Sequence, residues 1–349
     1  MVPGASLILC MGVGFVGMLS AQAFWSSPAV PVHDGQWGEA WEAAVDDDVF
    51  FHQPSVDAWG IAELVLFRDG RPGVVLGDEG WLFTGEDFAV YPDDDAEVAR
   101  KGRIVEAVRG AMRERGVRLL VAVIPSKARI ETEHLGRYRV PAQVAARAGA
   151  FVADLRGRGV EVVELEPALR ERRATTQVFL RTDTHWTPDG ASAAAHAIAT
   201  ALRTGDPPAW LDSAAVTSRP GDPAPYDGDL MRYLPLGGLR DELGPRPDTL
   251  ATPQVTVEAA GGLLDDVAIP VALVGTSYSD DPRWGFLGAL QRELGADVLN
   301  AAAEGQGPFV SMTRYMANDA WANTPPSLVI WEIPERYLGV AYDLEAPWP

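Results

Sequence analysis

The sequence predicts an α/β domain built on an open, mainly parallel β-sheet with helices on both faces. From about residue 96 to residue 333, short apolar runs alternate with amphipathic segments, which is typical of parallel strands joined by helical crossovers. The run 117–124 is apolar apart from Arg118, as expected for a strand covered on both faces. Hydrophobic residues make up 47% of the 349 residues, so the chain can bury a sizeable core.

The first 25 residues predict a signal peptide or a membrane anchor. Residues 5–24 carry no charge and are mostly apolar, and Ala21-Gln22-Ala23 fits the small-x-small pattern of a signal-peptidase site. The same stretch is long enough to span a bilayer uncleaved. Both alternatives place the rest of the chain outside the cytoplasm.

The remaining elements follow in order along the chain. Residues 26–70 are polar and contain tryptophans, and they predict a helical arm or linker before a main domain at 71–349. Two short apolar runs around Asp78-Glu79-Gly80 predict a β-hairpin. Residues 204–250 are rich in Pro, Gly and Asp and predict a long insertion outside the core. The other predicted helices are 97–115, 141–156, 188–202, 283–294 and 308–316, and the other predicted strands are 117–124, 160–165, 271–274, 298–299 and 328–333.

Charge and cysteine content exclude several classes of function. The chain has 49 Asp and Glu against 29 Lys and Arg, and this net charge of −20 argues against a nucleic-acid partner. An acidic polymer would need a local basic patch to overcome the general repulsion. Cys10 is the only cysteine, so a disulfide framework and a cysteine-based metal site are excluded. We expect no cofactor.

Polar candidates follow the predicted strands at their carboxyl ends, where open parallel sheets bind ligands. They are Ser126, Lys127, Ser277, Asn300, Glu335 and Arg336.

Two remote segments supply the parts of a Ser-His-Asp nucleophile system. Asp183 and His185 lie two residues apart, and Ser277 lies where a strand gives way to a helix. In such a system the histidine takes the serine proton and the acid fixes the tautomer of the histidine. A turn must fold Asp183 back onto the ring, because extended geometry does not bring them into contact.

Alternatives for these residues stay open at this stage. Ser277 could only cap the helix, and Ser279 is a competing nucleophile and cap. A metal site at Asp183 and His185 would need further ligands, and none stands at suitable spacing, so we expect no metal.

Weaker candidates surround this predicted site. Lys127 could bind an anionic group or simply be solvated, and Trp186 could stack on a sugar or fill the core. Thr276 precedes the serine and is a candidate oxyanion donor. Side-chain donors from Asn300 or Gln306, or a backbone N–H near Gly305, are further candidates for the oxyanion or the substrate.

Five ordered motifs resemble the AlgX/AlgJ family of alginate O-acetyltransferases, a branch of the SGNH-hydrolase-like fold. The resemblance covers roughly residues 40–340, and its motifs are 77–83 (GDEGWLF), 124–127 (IPSK), 183–186 (DTHW), 275–279 (GTSYS) and 331–336 (WEIPER). It implies a periplasmic enzyme that moves acetyl groups onto exopolysaccharide hydroxyls with a triad of Asp183, His185 and Ser277. In ordinary SGNH hydrolases the serine comes first; here the order is reversed, as in this family.

The resemblance also suggests a subtype. Members of the AlgX type carry a carbohydrate-binding domain after the catalytic one, whereas this sequence stops at Pro349, soon after the last predicted strand. We therefore expect the AlgJ type, associated with the inner membrane through residues 5–24 or exported.

Three hypotheses about function follow. The first is an O-acetyltransferase that takes acetyl from a donor supplied by a membrane-bound O-acyltransferase and passes it through an acetyl-serine to an exported, alginate-like polysaccharide. The second is a carbohydrate acetyl esterase of the same fold, with water as the acceptor. The third is a non-catalytic polysaccharide-binding or scaffold protein of an export complex.

Overall fold

A computed structural model describes residues 60, 61, 64, 66 and 67, then 70–258 and 269–342. The predicted signal or anchor lies outside these residues, as does most of the predicted arm at 26–70. Over the part of the chain that is described, no helix is both long enough and apolar enough to cross a bilayer. The chain divides into two compact units, Met1–Arg71 with Leu234–Gly244, and Pro72–Tyr233 with Pro245–Pro349.

The strands are short, and they lie close to the runs that the sequence predicts. They are β1 (Val74–Leu76), β2 (Leu82–Thr84), β3 (Arg118–Ile124), β4 (Glu161–Glu164), β5 (Val216–Arg219), β6 (Ala224–Tyr226), β7 (Asp248–Leu250), β8 (Gln254–Val257), β9 (Val271–Val274), β10 (Val298–Asn300) and β11 (Leu328–Pro334).

The α-helices range from a single turn to 21 residues. They are α1 (Asp94–Glu114), α2 (Lys127–Ile130), α3 (Ala142–Gly157), α4 (Glu166–Arg173), α5 (Pro188–Thr204), α6 (Arg240–Leu243), α7 (Ser277–Asp280), α8 (Phe286–Leu294), α9 (Gly307–Met316) and α10 (Asp319–Asn323). In the smaller unit, a 3₁₀ turn at Gly237–Leu239 leads into α6.

The larger unit is organised around a five-stranded sheet in the order β10-β9-β11-β3-β4. All four neighbouring pairs are parallel, which confirms the predicted parallel sheet. Pro334 lies opposite Ile124, and Trp331 lies opposite Val274. The carboxyl ends of β9, β11 and β3 therefore meet at one edge of the sheet. Most of the polar candidates from the sequence directly follow these three strands.

Successive residues of the central strands pack into two separate cores, one on each face. On β3, Leu120 and Ala122 belong to one core, whereas Leu119 and Val121 belong to the other. The first core also takes apolar residues of α4, α5 and α8, and the second takes those of α1, α3 and α9. This two-sided burial explains why the central strands read as continuous apolar runs.

The predicted hairpin is present, since β1 and β2 pair antiparallel. The predicted helix 283–294 is wrong in its first part. Pro282–Trp284 forms a separate 3₁₀ turn, and α8 begins only at Phe286. Gly285 between them has φ 67°, in the left-handed region that glycine adopts without strain, and this breaks the helix.

The insertion 204–250 contributes no strand to the central sheet, but the prediction that it lies outside the core is wrong at Leu250, which is buried in the first core. Within the insertion β6 pairs with β7, and β5 pairs with β8, which follows the insertion. The end of β6 and the start of β7 carry the residues through which the insertion reaches the site described next.

Candidate active site

The segment 183–187 forms the turn that the sequence analysis requires. The Oδ1 atom of Asp183 accepts a hydrogen bond from the backbone N–H of His185 at 2.8 Å and lies 2.7 Å from His185 Nδ1. Thr187 caps α5 by accepting from the N–H of Gly190 at 3.1 Å, as predicted. One carboxylate oxygen thus fixes both the backbone and the ring of the histidine.

The other ring nitrogen of that histidine faces the serine. His185 Nε2 lies 2.7 Å from Ser277 Oγ, although the two residues are 92 positions apart in the chain. The cap of α7 is Thr276, whose hydroxyl accepts from the N–H of Tyr278. The hydroxyl of Ser279 donates to Glu332 at 3.0 Å. The contact with His185 is therefore made by Ser277 and by neither of its hydroxyl-bearing neighbours.

The second oxygen of Asp183 is also fully used. Oδ2 accepts from the hydroxyl of Tyr226 at 2.7 Å and from the backbone N–H of Asp229 at 2.8 Å. Burial by itself would raise the pKa of Asp183, but the bonds from His185, Asp229 and Tyr226 outweigh it and hold that pKa well below its usual range. Burial, reinforced by the Asp183 charge, raises the pKa of the Tyr226 phenol. The acid is therefore ionised and its partner is a neutral donor.

Aromatic rings fix the plane of the imidazole. The ring of His185 stacks on that of Trp284 with centroids 4.8 Å apart and lies 4.7 Å from that of Tyr278. Trp284 Nε1 donates to the carbonyl of Ser277 at 3.0 Å, and the Tyr278 hydroxyl donates to the carbonyl of Thr184 at 2.9 Å. These cross-links join the histidine segment to the serine turn, so the 2.7 Å contact is held from several sides.

A buried carboxylate lies beneath the serine turn. Glu332 on β11 is fully buried and accepts from the N–H of Thr276 at 2.7 Å, from the Thr276 hydroxyl at 3.1 Å and from Ser279. Burial raises the pKa of Glu332 to about 7. A Cβ at Gly275 would collide with Glu332 Oε2, so only glycine lets the turn lie this close.

Two of the weaker candidates are structural rather than substrate-binding. Lys127 is buried, and its Nζ donates to the carbonyls of Leu82 at 2.5 Å and of Arg181 and Asp183 at 2.9 Å each. Its three N–H donors are therefore used, and burial lowers its pKa to about 8. Trp186 is fully buried in the core, where no sugar can stack on it.

The predicted oxyanion donors are not in place either. The N–H and hydroxyl of Thr276 are bound to Glu332. The Asn300 amide donates to the carbonyl of Ser279 at 2.9 Å, and its oxygen accepts from Ala302. Gln306 Oε1 accepts from Arg314, and within the described residues neither Gln306 nor Gly305 forms a hydrogen bond with the three predicted catalytic residues.

The ligand atoms of Asp183, His185 and Asp229 lie within 4.8 Å of one another, which is close enough to consider a cation. The sequence analysis did not identify Asp229 as a third acid. Both oxygens of Asp229 accept from Thr184, and both ring nitrogens of His185 face Asp183 and Ser277. This donor set fits a hydrogen-bonded relay, since an ion would displace bonds already formed.

Four residues that build the site were not predicted from the sequence. Tyr226 and Asp229 hold Asp183, and Trp284 holds the ring of His185. The fourth, Asp248, accepts from the N–H of Arg181 and from the N–H and hydroxyl of Thr182 at 2.6–2.9 Å. Three of the four lie in the insertion 204–250, which has no periodic pattern that could have indicated them.

Comparisons with known proteins identify relatives of this chain. Residues 74–335 match the family model described as the SGNH hydrolase-like domain of acetyltransferase AlgX. The chain is 39% identical over 348 residues to the probable alginate O-acetylase AlgJ of Pseudomonas putida, covering 97% of this chain and 89% of the relative. It is 38% identical to the probable alginate O-acetylase AlgJ of Pseudomonas aeruginosa, with 97% and 90% covered.

A solved structure is similar as well. The O-acetyltransferase domain of Pseudomonas putida AlgJ superposes with a TM-score of 0.70 at 41% identity, covering 78% of this chain and 95% of that domain.

Proposed function

Because the chain belongs to the AlgX/AlgJ family of SGNH hydrolase-like acetyltransferases, we propose that it acetylates hydroxyl groups of alginate through an acetyl-serine intermediate. The observation that carries the proposal is the continuous chain of hydrogen-bond contacts from Asp183 through His185 to Ser277, each 2.7 Å long. The AlgJ relatives are named as probable alginate O-acetylases, which supports acetyl as the transferred group and alginate as its acceptor.

The first half-reaction loads the serine. Ser277 Oγ attacks the carbonyl carbon of the acetyl donor while its proton passes to His185 Nε2. The bond between the acetyl carbon and the donor's leaving group breaks, and the leaving group takes the proton from Nε2. Acetyl-Ser277 and neutral His185 remain.

The second half-reaction transfers the acetyl group. A sugar hydroxyl gives its proton to His185 Nε2, and its oxygen attacks the acetyl carbonyl. The bond to Ser277 Oγ breaks, and Oγ recovers the proton from Nε2. Asp183 remains ionised throughout because its four hydrogen bonds stabilise the carboxylate, and it stabilises the imidazolium that forms twice per cycle.

One oxyanion donor can be proposed from the backbone. The N–H of Ser277 is the first of α7, and no acceptor among the described residues receives it. It lies next to the carbon that is attacked, so it can donate to the developing oxyanion.

The cellular setting is part of the proposal. Residues 5–24 are uncharged and mostly apolar, which supports export to the periplasm or anchoring to the inner membrane. A membrane-bound O-acyltransferase would then supply acetyl to Ser277 from the cytoplasmic side.

Replacing Ser277 with Ala tests the mechanism. We expect acetylation of alginate and hydrolysis of a chromogenic acetate ester to fall together, by at least about 10³-fold, since the nucleophile is lost from both. His196→Ala is the control, because His196 is an exposed histidine that pairs with Glu293 away from the site. A Ser277→Ala protein that kept either activity would refute the acetyl-serine route.

A second experiment separates transferase from esterase. Water in place of the sugar hydroxyl would give an acetyl esterase with the same three residues. Mass analysis of polymer from a strain that lacks the protein distinguishes them: less acetyl on the polymer supports transfer, whereas more acetyl would mean hydrolysis.

A further inference from the structure

A groove lined by four arginines lies at the edge of the central sheet opposite Ser277. It has a volume of about 490 Å³, and its charged lining consists of Arg109, Arg113, Arg118, Arg156 and Glu161. Arg118 and Glu161 are the first residues of β3 and β4, so the groove lies at the amino ends of these strands. Its volume falls in the range of ordinary ligand sites, and it is separate from the site at the carboxyl ends.

The charges in this groove are not balanced locally. Arg118 pairs with Glu161, and Arg156 pairs with Glu164 at 2.7 Å. In the described ranges, by contrast, no carboxylate forms an ion pair with Arg109 or Arg113.

The arrangement also costs stability. Arg109 and Arg113 lie four residues apart on α1, so their like charges face each other one helical turn apart. Such a pair destabilises a helix by a few tenths of a kcal/mol. A bound anion between them would remove this repulsion.

The side chain of Arg109 is held in place. Its Nη1 donates to the carbonyl of Arg158 at 3.2 Å. Its guanidinium nitrogens lie 3.6–3.7 Å from the position that a Cβ of Gly159 would occupy, and Gly159 has φ 71°. The guanidinium therefore packs over a residue that carries no side chain, and its remaining donors are pre-organised for a ligand.

We propose that this groove binds a segment of the acidic polysaccharide, away from the catalytic serine. Guanidinium groups pair with carboxylates in a planar, bidentate way, and every sugar of a polyuronate such as alginate carries a carboxylate. The net charge of −20 repels such a polymer, and a local basic groove offsets that repulsion. A chain held here has a raised effective concentration at the other edge of the sheet.

The choice of polymer rests on the proposed function, but binding can be measured without turnover. The probe is a defined oligomer of alginate, titrated by calorimetry into the Ser277→Ala protein. Replacing Arg109 and Arg113 with Gln should weaken binding about five- to tenfold, the size expected for losing two exposed charge contacts.

A double variant of equal charge provides the control. Arg103→Gln with Arg219→Gln also removes two positive charges, and both arginines are exposed and lie outside the groove. In otherwise wild-type protein, the groove variant should raise KM for polymer acetylation and leave the hydrolysis of a neutral chromogenic acetate unchanged.

Three results would overturn the proposal. Unchanged oligomer binding in the groove variant would do so, as would equal weakening in the control, which would assign the effect to net charge. Binding of inorganic phosphate or anionic lipid vesicles at the groove, with no binding of the oligomer, would also overturn it. Failure of the acetyl-serine route would appear instead as activity without Ser277, so the two failures are distinguishable.

Discussion

Tyr226 supports the acid of the site from the side opposite the histidine. Its hydroxyl donates to Asp183 at 2.7 Å and accepts from Arg283 at 3.2 Å. The phenol therefore stabilises the carboxylate by donating a hydrogen bond. It keeps its own proton, because the pKa of Tyr226 is raised.

Tyr226→Phe removes this hydroxyl and keeps the ring. We expect kcat for chromogenic acetate to fall about tenfold with KM little changed, because a hydrogen bond to a charged group is lost. The pKa of Asp183 should rise towards its usual value, so that stability is lost at a higher pH on acidification than in the wild type.

The control is Tyr233→Phe. The hydroxyl of Tyr233 accepts from Arg232, its neighbour in the 3₁₀ turn Asp229–Tyr233. Equal losses in both variants would mean that Tyr226 acts only through general packing.

At this scale the sequence predicted the three residues that meet in the site but not their surroundings. Asp183, His185 and Ser277 were identifiable because two are adjacent in a short motif and the third follows a clear strand. Lys127 and Asn300 were candidates for binding the substrate, but a polar side chain at a strand end can equally bind backbone carbonyls, as both do here.

Among the elements, the junction between β9 and α7 depends on a carboxylate from the neighbouring strand. Glu332 of β11 receives donors from both sides of Ser277 in the chain, at Thr276 and Ser279. The turn that presents Ser277 is therefore attached to the centre of the sheet.

The buried carboxyl makes stability depend on pH. Burial raises the pKa of Glu332 from 4.5 to about 7, so the folded protein holds this proton more tightly than the unfolded chain. The resulting stabilisation is complete below pH 4.5 and is lost as the pH rises through 7, with a size of about 3 kcal/mol.

Glu332→Gln tests this dependence, since glutamine does not titrate. The difference in free energy of unfolding between wild type and variant should shrink by about 3 kcal/mol from low to high pH, measured by denaturant titration. Asp87 and Glu335, whose pKa values are also raised by burial, are present in both proteins, so their contributions to the pH dependence cancel in this difference. A difference that stayed constant with pH would disprove the assignment to Glu332.

The predicted strands were close to the observed ones because strands buried on both faces leave uninterrupted apolar runs. The boundary of α8 was missed because the serine turn, the 3₁₀ turn at Pro282–Trp284 and α8 follow one another within eighteen residues. Gly285 and Pro282 signal a break, but the amphipathic pattern through Leu294 is continuous.

On the scale of the whole molecule, the insertion 204–250 and the main α/β framework share the site. Asp248 is buried at the start of β7 and binds the backbone of Arg181 and Thr182, directly before Asp183. Composition predicted an insertion outside the core, which is wrong at Leu250, and it did not indicate that the insertion would hold the acid, since these contacts depend on tertiary structure alone.

Asp248→Asn should loosen this attachment. We expect the free energy of unfolding to fall by about 2 kcal/mol, because a buried charged acceptor of four hydrogen bonds is replaced by an amide that cannot accept all of them. Limited proteolysis should cut the insertion faster, and kcat should fall. Asp222→Asn, an exposed change in the same insertion, is the control; similar cleavage in both would count against a specific role for Asp248.

The shared construction of the site limits how the protein can be recombined with its relatives. In a chimera that received only the 183–187 motif, Asp183 would be oriented by a loop from another protein. In a chimera that received only the insertion, Tyr226 would lack the aspartate to which it donates its hydrogen bond. Domain-swapping experiments should therefore exchange the two segments as one cassette, and natural diversification of polymer choice would have to respect the same linkage.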